Sequence, residues 1–337
     1  MLKASVNFFI HRAKKIGLFP SPSVSDRTWN LEITKWRHRL VLFLALSRTP
    51  HGLLDMATPA LAALLWLGAF PPLRTIVLGL ITAFAGYTAV YALNDLVDYR
   101  ADKERAESGL AADKPGDLDG IFLRHPVAHG FLPFDRALLW AVAWGGLALL
   151  GAYLLNPFCA IIFLGSCLLE TIYCLLWRSS CLKIFISGAV KTSGAMAAVL
   201  AVDPHPSLSR LALLFFWLFC WEIGGQNIPN DWADIEEDRK FHAATIPLRF
   251  GPAWARAVIL LSLLSAVTIN AVFLTLIPPG IKSAGVAAFL GAGIYSLLMP
   301  AYRLYVTQER SQALALFNIA SYYPVMLLAV VIITIFI

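Results

Sequence analysis

Long apolar segments separated by short polar ones run through the sequence from about residue 50 to its end. Each segment has about the 20 residues that an α-helix needs to cross the hydrocarbon core of a bilayer. With Pro, Gly, Asn and charged residues taken as boundaries, the segments predict nine membrane-spanning helices. We expect these spans at residues 50–70, 74–93, 135–154, 158–177, 183–202, 208–228, 254–277, 283–306 and 313–336.

The composition agrees with a membrane protein. Of the 337 residues, 58% are hydrophobic and 14% are charged, and the mean hydropathy is +0.69. Because soluble proteins carry about 25% charged residues, an ordinary water-soluble domain is excluded. With the N-terminus taken as cytoplasmic, 23 of the 27 Lys and Arg residues lie on the cytoplasmic side of the predicted spans and 3 on the other. This bias orients the chain in the membrane and accounts for the net charge of +6, so no nucleic-acid partner is expected.

The chain is therefore predicted to be all-α, a polytopic membrane bundle of nine transmembrane helices with two Asp-rich cytoplasmic motifs. Residues 1–48 predict a basic, amphipathic cytoplasmic arm, and residues 49–337 the transmembrane domain. The five cysteines fall in or at the ends of apolar segments and are interpreted as small core residues.

The two Asp-rich motifs are matched copies of one pattern. NDLVDYRAD (residues 94–102) and NDWADIEED (residues 230–238) both read NDxxDxxxD, which favours an internal repeat. On a helix the three aspartates of each copy would share one face, where their repulsion calls for a cation. Mg²⁺ prefers carboxylates and phosphate oxygens, so two such faces beside a membrane cavity indicate a polyprenyl diphosphate substrate. The candidate metal ligands and catalytic residues are Asp95, Asp98, Asp102, Asp231, Asp234 and Asp238.

These motifs resemble those of the UbiA superfamily of intramembrane prenyltransferases. The segment DIEEDRKFHAATIPLRFG resembles the family's DIEGDRKxGxxTLxxRFG, and the resemblance extends from SRTPHGLLDMATPAL to the C-terminus. HPVAHG is the nearest match to the family's RPIxSG, with His125 where Arg is usual. YCLLWRSSCLK is similar to the family's YxxxK segment, with Trp177 at the lysine position.

The resemblance implies Mg²⁺-dependent transfer of a prenyl group from a polyprenyl diphosphate to an acceptor small molecule, which we expect to be aromatic. Deep placement of a lysine in an apolar helix is costly, so Lys191 is expected to be functional or paired. The asparagines of the motifs would orient ligands or waters, and the basic residues would contact phosphate oxygens. The candidate substrate-binding residues are Asn94, Asn230, Lys103, Tyr173, Arg178, Lys183, Lys191, Arg239 and Arg48.

Several alternatives stay open. A UbiA-type cyclase or a lipid or phosphosugar prenyltransferase would keep the same motifs, and a transporter with acidic ion sites is a different class. Glu170 and Glu222 could balance Lys191 or act on the acceptor. Glu222, Gln226 and Asn230 form a stripe at spacings of four, which could equally pack the bundle. His125 and His129 are interpreted as loop residues.

Overall fold

The computed structural model describes residues 39–108, 121–276 and 283–336. The chain divides after Val41, and the compact unit that begins at Leu42 contains all the helices named below. Most of the predicted N-terminal arm lies outside the described residues, so its boundary at residue 48 stays a prediction. Within the described ranges the secondary structure is helical, and no strand occurs.

The helices follow one another with short connections. From Thr49 onward, they are α1 (Thr49–Asp55), α2 (Ala57–Leu67), α3 (Leu73–Val97), α4 (Tyr99–Glu107), α5 (Phe134–Leu155), α6 (Pro157–Leu175), α7 (Lys183–Val202) and α8 (Leu208–Trp221). A π-helical segment (Glu222–Asn227) joins α8 to α9 (Ile228–Ala233). There follow α10 (Ile235–Lys240), α11 (Ile246–Leu276), α12 (Ser283–Gly293), a second π-helical segment (Ile294–Leu298), α13 (Met299–Thr307), α14 (Arg310–Ser321) and α15 (Tyr323–Phe336).

Among the described residues, eight continuous helical stretches are long and apolar enough to cross a membrane. They correspond to eight of the nine predicted spans. The predicted first span, residues 50–70, is instead two shorter helices, α1 and α2, which meet at Met56. Pro59 has no N–H to donate to the carbonyl of Asp55, which explains the break at this point. The broken pair accounts for the difference between eight and nine.

The outer faces of the bundle are apolar. On α5 and α6, Leu139, Val142, Phe158, Ile161 and Leu168 are each more than 60% exposed. So many exposed apolar side chains are stable in contact with lipid, and the exposed faces therefore agree with a multi-pass integral membrane protein. The side of the membrane on which the motifs lie stays a prediction from the charge bias.

Close packing of the π-helical segment Glu222–Asn227 depends on two glycines. A Cβ added at Gly224 would lie 2.9 Å from the carbonyl oxygen of Ile259 in α11, and one at Gly225 would lie 3.0 Å from Ala320 in α14. Small residues allow helices to approach closely in membranes. The segment is therefore held between α11 and α14, and this fixes the direction of the polar side chains that it carries.

Candidate active site

Both Asp-rich motifs have the same backbone form. In each copy a helix ends at the middle aspartate and a second helix starts after it, since Asp98 has φ −82° and ψ 0° and Asp234 has φ −99° and ψ 8°. The expected single helical face is therefore divided in two. The backbone ladder still continues, because the N–H of Asp102 donates to Asp98 (2.9 Å) and that of Asp238 to Asp234 (2.9 Å). This sparsely populated region of φ and ψ often holds active-site residues.

Arg105 joins the two motifs. Its Nη1 lies 3.2 Å from Asp102 Oδ1 of the first copy, and its Nη2 lies 3.8 Å from Asp238 Oδ1 of the second. Its Nε is 3.3 Å from Glu237 Oε1, and its guanidinium lies 3.9 Å from the centre of the Trp177 ring. One partly buried cation thus bridges two acidic clusters that are far apart in sequence.

A second group of contacts surrounds the first motif. His125 Nδ1 lies 3.0 Å from Asp95 Oδ1 and 2.8 Å from Asp102 Oδ2. Arg48 Nη2 donates to Asn94 Oδ1 at 3.0 Å and lies 3.6 Å from Asp95 Oδ1. Sequence reasoning treated His125 as a loop residue; it does lie in the loop before α5, but its ring contacts two of the candidate metal ligands.

Electrostatics at the motifs follow from burial and from these neighbours. Burial opposes charge on the His125 ring, but the carboxylates of Asp102 and Asp95 outweigh it and raise the pKa of His125 to about 9. Burial likewise works against the Asp102 carboxylate, yet His125 and Arg105 lower its pKa. Burial first, and then the charge of Asp102, raise the pKa of Asp98 to about 6.

The second motif is paired with a buried lysine. Lys183 Nζ lies 3.0 Å from Asp231 Oδ1, and both side chains are less than 10% exposed. Asp231 Oδ2 is buried and has no hydrogen-bond partner in the part of the chain that the structure describes. Lys183 also lies 5.2 Å from the ring of Tyr173, whose hydroxyl accepts a hydrogen bond from Asn227 at 3.2 Å. Burial, followed by the charge of Asp231, raises the pKa of Asp238 to about 7.

Three of the predicted phosphate contacts lie at the exposed edge of this region. Arg178 Nη2 pairs with Glu104 at 2.6 Å and stacks on Trp177 at 4.9 Å. Arg239 pairs with Glu236 at 3.3 Å, and Lys103 is exposed. The structure does not bring these three cations into contact with the aspartates of the motifs, so their role stays a prediction.

A cavity of about 550 Å³ extends from the motifs into the bundle. Asn94, Tyr173 and Asn230 line it at the motif end, and Leu80, Phe163 and Ile332 are among its apolar lining residues farther away. Such a shape suits a molecule with a polar head and a hydrocarbon tail.

Lys191 also lines the cavity, and its partner is one that sequence reasoning missed. Its Nζ lies 2.6 Å from Asp55 Oδ2 of α1. Asp55, rather than Glu170 or Glu222, therefore forms the direct ion pair with Lys191. Glu170 accepts a hydrogen bond from Asn94 (2.7 Å) and Glu222 one from Ser187 (2.7 Å), so a role for either glutamate in balancing Lys191 from farther away, or in acting on the acceptor, stays a prediction. A single acidic residue inside a predicted span is itself a signal of function, and that signal could have identified Asp55.

Most of the chain matches a known protein family. Residues 56–322 match the model of the UbiA prenyltransferase family. The chain belongs to that family. It is a membrane-bound prenyltransferase, and the transporter alternative is not supported. A digeranylgeranylglyceryl phosphate synthase from Thermococcus sibiricus is 26% identical over 214 residues, which cover 63% of this prenyltransferase and 69% of that protein.

Solved structures of UbiA homologues share the fold of this prenyltransferase. The apo structure of a homologue from Aeropyrum pernix K1 is similar with a TM-score of 0.66 and 19% identity, over 84% of this chain and 97% of that one. A homologue from Archaeoglobus fulgidus bound to DMAPP and Mg²⁺ is similar with a TM-score of 0.64 and 18% identity, over 88% and 99% of the two chains. The predicted family and the predicted all-α membrane bundle are thus confirmed.

Proposed function

We propose that this prenyltransferase moves the prenyl group of a polyprenyl diphosphate to an acceptor molecule within the membrane and releases diphosphate. The observation that carries the proposal is the contact of Arg105 with Asp102 and Asp238, which holds both Asp-rich motifs at one end of a largely apolar cavity. An amphiphilic diphosphate would place its head between the motifs and its tail in the cavity.

The side chains present fit bound Mg²⁺. Oxygen ligands are what this ion prefers, and the buried Oδ2 of Asp231 lacks a hydrogen-bond partner within the described residues. Around the first motif, one carboxylate oxygen of Asp95 and one of Asp102 lie within 4.8 Å of each other. The residues that would hold the metal are Asp95, Asp98, Asp102, Asp231, Asp234 and Asp238. Mg²⁺ bound there would neutralise the charge that develops on the departing diphosphate.

The basic residues around the motifs would act on the same phosphate oxygens. Arg105, Arg48 and Lys183 are already next to the aspartates and would stabilise the departing group as fixed positive charges. Lys103, Arg178 and Arg239 would contribute from the exposed edge. Asn94 and Asn230 would orient the head group, and Tyr173 would position Lys183 beside its ring.

The acceptor is proposed to be aromatic. The name of the Thermococcus sibiricus relative is the observation that favours a second candidate, a glycerol lipid phosphate. From the charge bias of the sequence, we further propose that the motifs face the cytoplasm, where soluble diphosphate would be released.

A direct assay tests the proposal. Purified protein in nanodiscs would be incubated with Mg²⁺, radiolabelled geranylgeranyl diphosphate and a panel of phenolic, hydroquinone and glycerol-phosphate acceptors. We expect a prenylated product that disappears when EDTA is added. Binding of the diphosphate without transfer to any acceptor, or conversion to a cyclised product alone, would contradict the proposal.

A further inference from the structure

A second polar cluster lies deeper in the cavity than the motifs. Lys191 Nζ on α7 lies 2.6 Å from Asp55 Oδ2 and 3.2 Å from the hydroxyl oxygen of Tyr91. The Tyr91 hydroxyl in turn donates to Asp55 at 2.5 Å. Tyr91 precedes Asn94 by three residues on α3, which is about 4.5 Å along the helix axis. We call Asp55, Tyr91, Lys191, Ser187 and Glu222 the deep polar cluster.

Glu222 is the member of the cluster without a full set of partners. Its side chain is buried and lines the cavity. Ser187 donates to Oε1 at 2.7 Å, whereas Oε2 has no hydrogen-bond partner in the described ranges. Glu222 also begins the π-helical segment Glu222–Asn227, and single π turns within helices occur frequently at functional sites. A buried acceptor atom beside an open cavity indicates that a ligand supplies the missing donor.

The charges of the cluster restrict what that ligand can be. Ser187 and Lys191 lie one turn apart on α7, so the two carboxylates that they contact face the same part of the cavity. Lys191 is already bonded to Asp55, and its ammonium is therefore not available to balance a third negative charge. A phosphate or carboxylate beside Glu222 would add like charge in a poorly solvated place. An uncharged group with an O–H donor would satisfy Oε2 at no such cost.

Aromatic side chains surround the same part of the cavity. The His51 ring lies 5.9 Å from that of Tyr91 and 5.7 Å from that of Phe317, and all three residues line the cavity. Tyr87, one turn before Tyr91 on α3, lines it as well. Rings of this kind favour contact with a flat aromatic head over contact with a glycerol backbone.

We propose that the deep polar cluster binds the head of the acceptor, and that this head is an uncharged aromatic hydroxyl compound of the phenol or hydroquinone class. Its hydroxyl donates a hydrogen bond to Glu222 Oε2, and its ring lies among His51, Tyr91 and Phe317. This inference rests on the proposed function and specifies the acceptor subsite. The acceptor then shares the cavity with the first carbon of the prenyl group, because the cluster begins one helical turn from the first motif.

Substitution of Glu222 by Gln tests the subsite, since the amide keeps the shape of the side chain and loses its charge. Wild-type protein and Glu222→Gln would be compared in nanodiscs with Mg²⁺ and geranylgeranyl diphosphate. The acceptor probes would be a reduced naphthohydroquinone and a geranylgeranyl glycerol phosphate. Exposed Glu309, changed to Gln, is the matched control.

We expect Glu222→Gln to raise both the KM and the directly measured Kd for the naphthohydroquinone at least tenfold. Its Kd for geranylgeranyl diphosphate should stay within twofold of wild type, which also shows that the variant is folded. Unchanged hydroquinone affinity, or an equal loss of affinity for the diphosphate, would overturn the inference. Transfer by the wild type to the glycerol phosphate alone would overturn it while the proposed function stands. An absence of transfer to every acceptor would refute both.

Discussion

Arg105 is expected to weaken Mg²⁺ binding and to speed up the reaction, and the substitution Arg105→Gln separates these two effects. In the protein without bound substrate, its guanidinium neutralises Asp102 and Asp238, which are also proposed metal ligands. With the metal and the diphosphate bound, the same guanidinium would be free to turn to the phosphate oxygens. Arg105→Gln should therefore make Mg²⁺ bind more tightly and at the same time slow the reaction.

The magnitudes follow from the contacts. Arg105 is partly exposed, at 19%, so each of its two ion pairs with the aspartates contributes only about 0.5 kcal/mol. Together the two ion pairs weaken the binding of Mg²⁺ by about 1 kcal/mol, so their loss should lower the half-saturating Mg²⁺ concentration about fivefold. Loss of one charged donor to a departing anion costs about 2–4 kcal/mol, which corresponds to a fall in kcat of about 30- to 1000-fold.

The assay is prenyl transfer in nanodiscs over a titration of Mg²⁺, with product counted at each concentration. Arg100→Gln is the matched control, because Arg100 is exposed and lies in the same short helix, α4. A rise in the half-saturating Mg²⁺ concentration together with the fall in kcat would refute the reasoning, since it would show that Arg105 only holds the site in shape. Arg105→Lys should restore part of the rate, because it keeps the charge but not the planar stack on Trp177.

Three further outcomes are expected. Asp98→Asn and Asp234→Asn should each abolish turnover, because an amide keeps the shape of the side chain but not the charge that holds Mg²⁺. Membrane insertion and thermal unfolding should stay unchanged. Activity in both variants would contradict the assignment of these aspartates as metal ligands. Lys183→Met should lower the free energy of unfolding by about 3–5 kcal/mol, because it leaves the buried Asp231 carboxylate unpaired. In a melting experiment, the double variant with Asp231→Asn should recover most of this loss. It should not recover activity. Removal of Mg²⁺ by EDTA should stop transfer reversibly, and failure of added Mg²⁺ to restore it would count against a bound-metal role.

The sequence was enough to predict the bundle and the family. Apolar segments of the length of a bilayer gave most of the spans, because the hydrocarbon core admits few other backbone structures. The matched NDxxDxxxD copies indicated a divalent cation and a phosphate, since three carboxylates on one face need compensation. The break at Met56 was missed because hydropathy averages over the polar Asp55 and the proline that follows it.

Most of what was missed depends on contacts between distant parts of the chain. Arg105 lies in DKERAE, a stretch that looks like an ordinary solvated helix, and its stacking on Trp177 depends on residues 72 positions apart. The partner of Lys191 is Asp55, which precedes it by 136 residues. A pattern over neighbouring residues cannot predict an ion pair between residues so far apart in the sequence. Only the packing of α1 against α3 and of α2 against α7 brings the two charges together.

The π-helical segment Glu222–Asn227 also determines how far the second half of its membrane-spanning helix is rotated about the helix axis relative to the first half. An α-helix advances about 100° per residue, so one residue more or less between Trp221 and Ile228 would turn everything that follows by that angle. Deletion of a single residue there would leave the hydropathy of the span almost unchanged, yet it would direct the Asp231 carboxylate away from Lys183. For this helix we therefore expect insertions and deletions in the segment Glu222–Asn227 to lower activity more than most substitutions do.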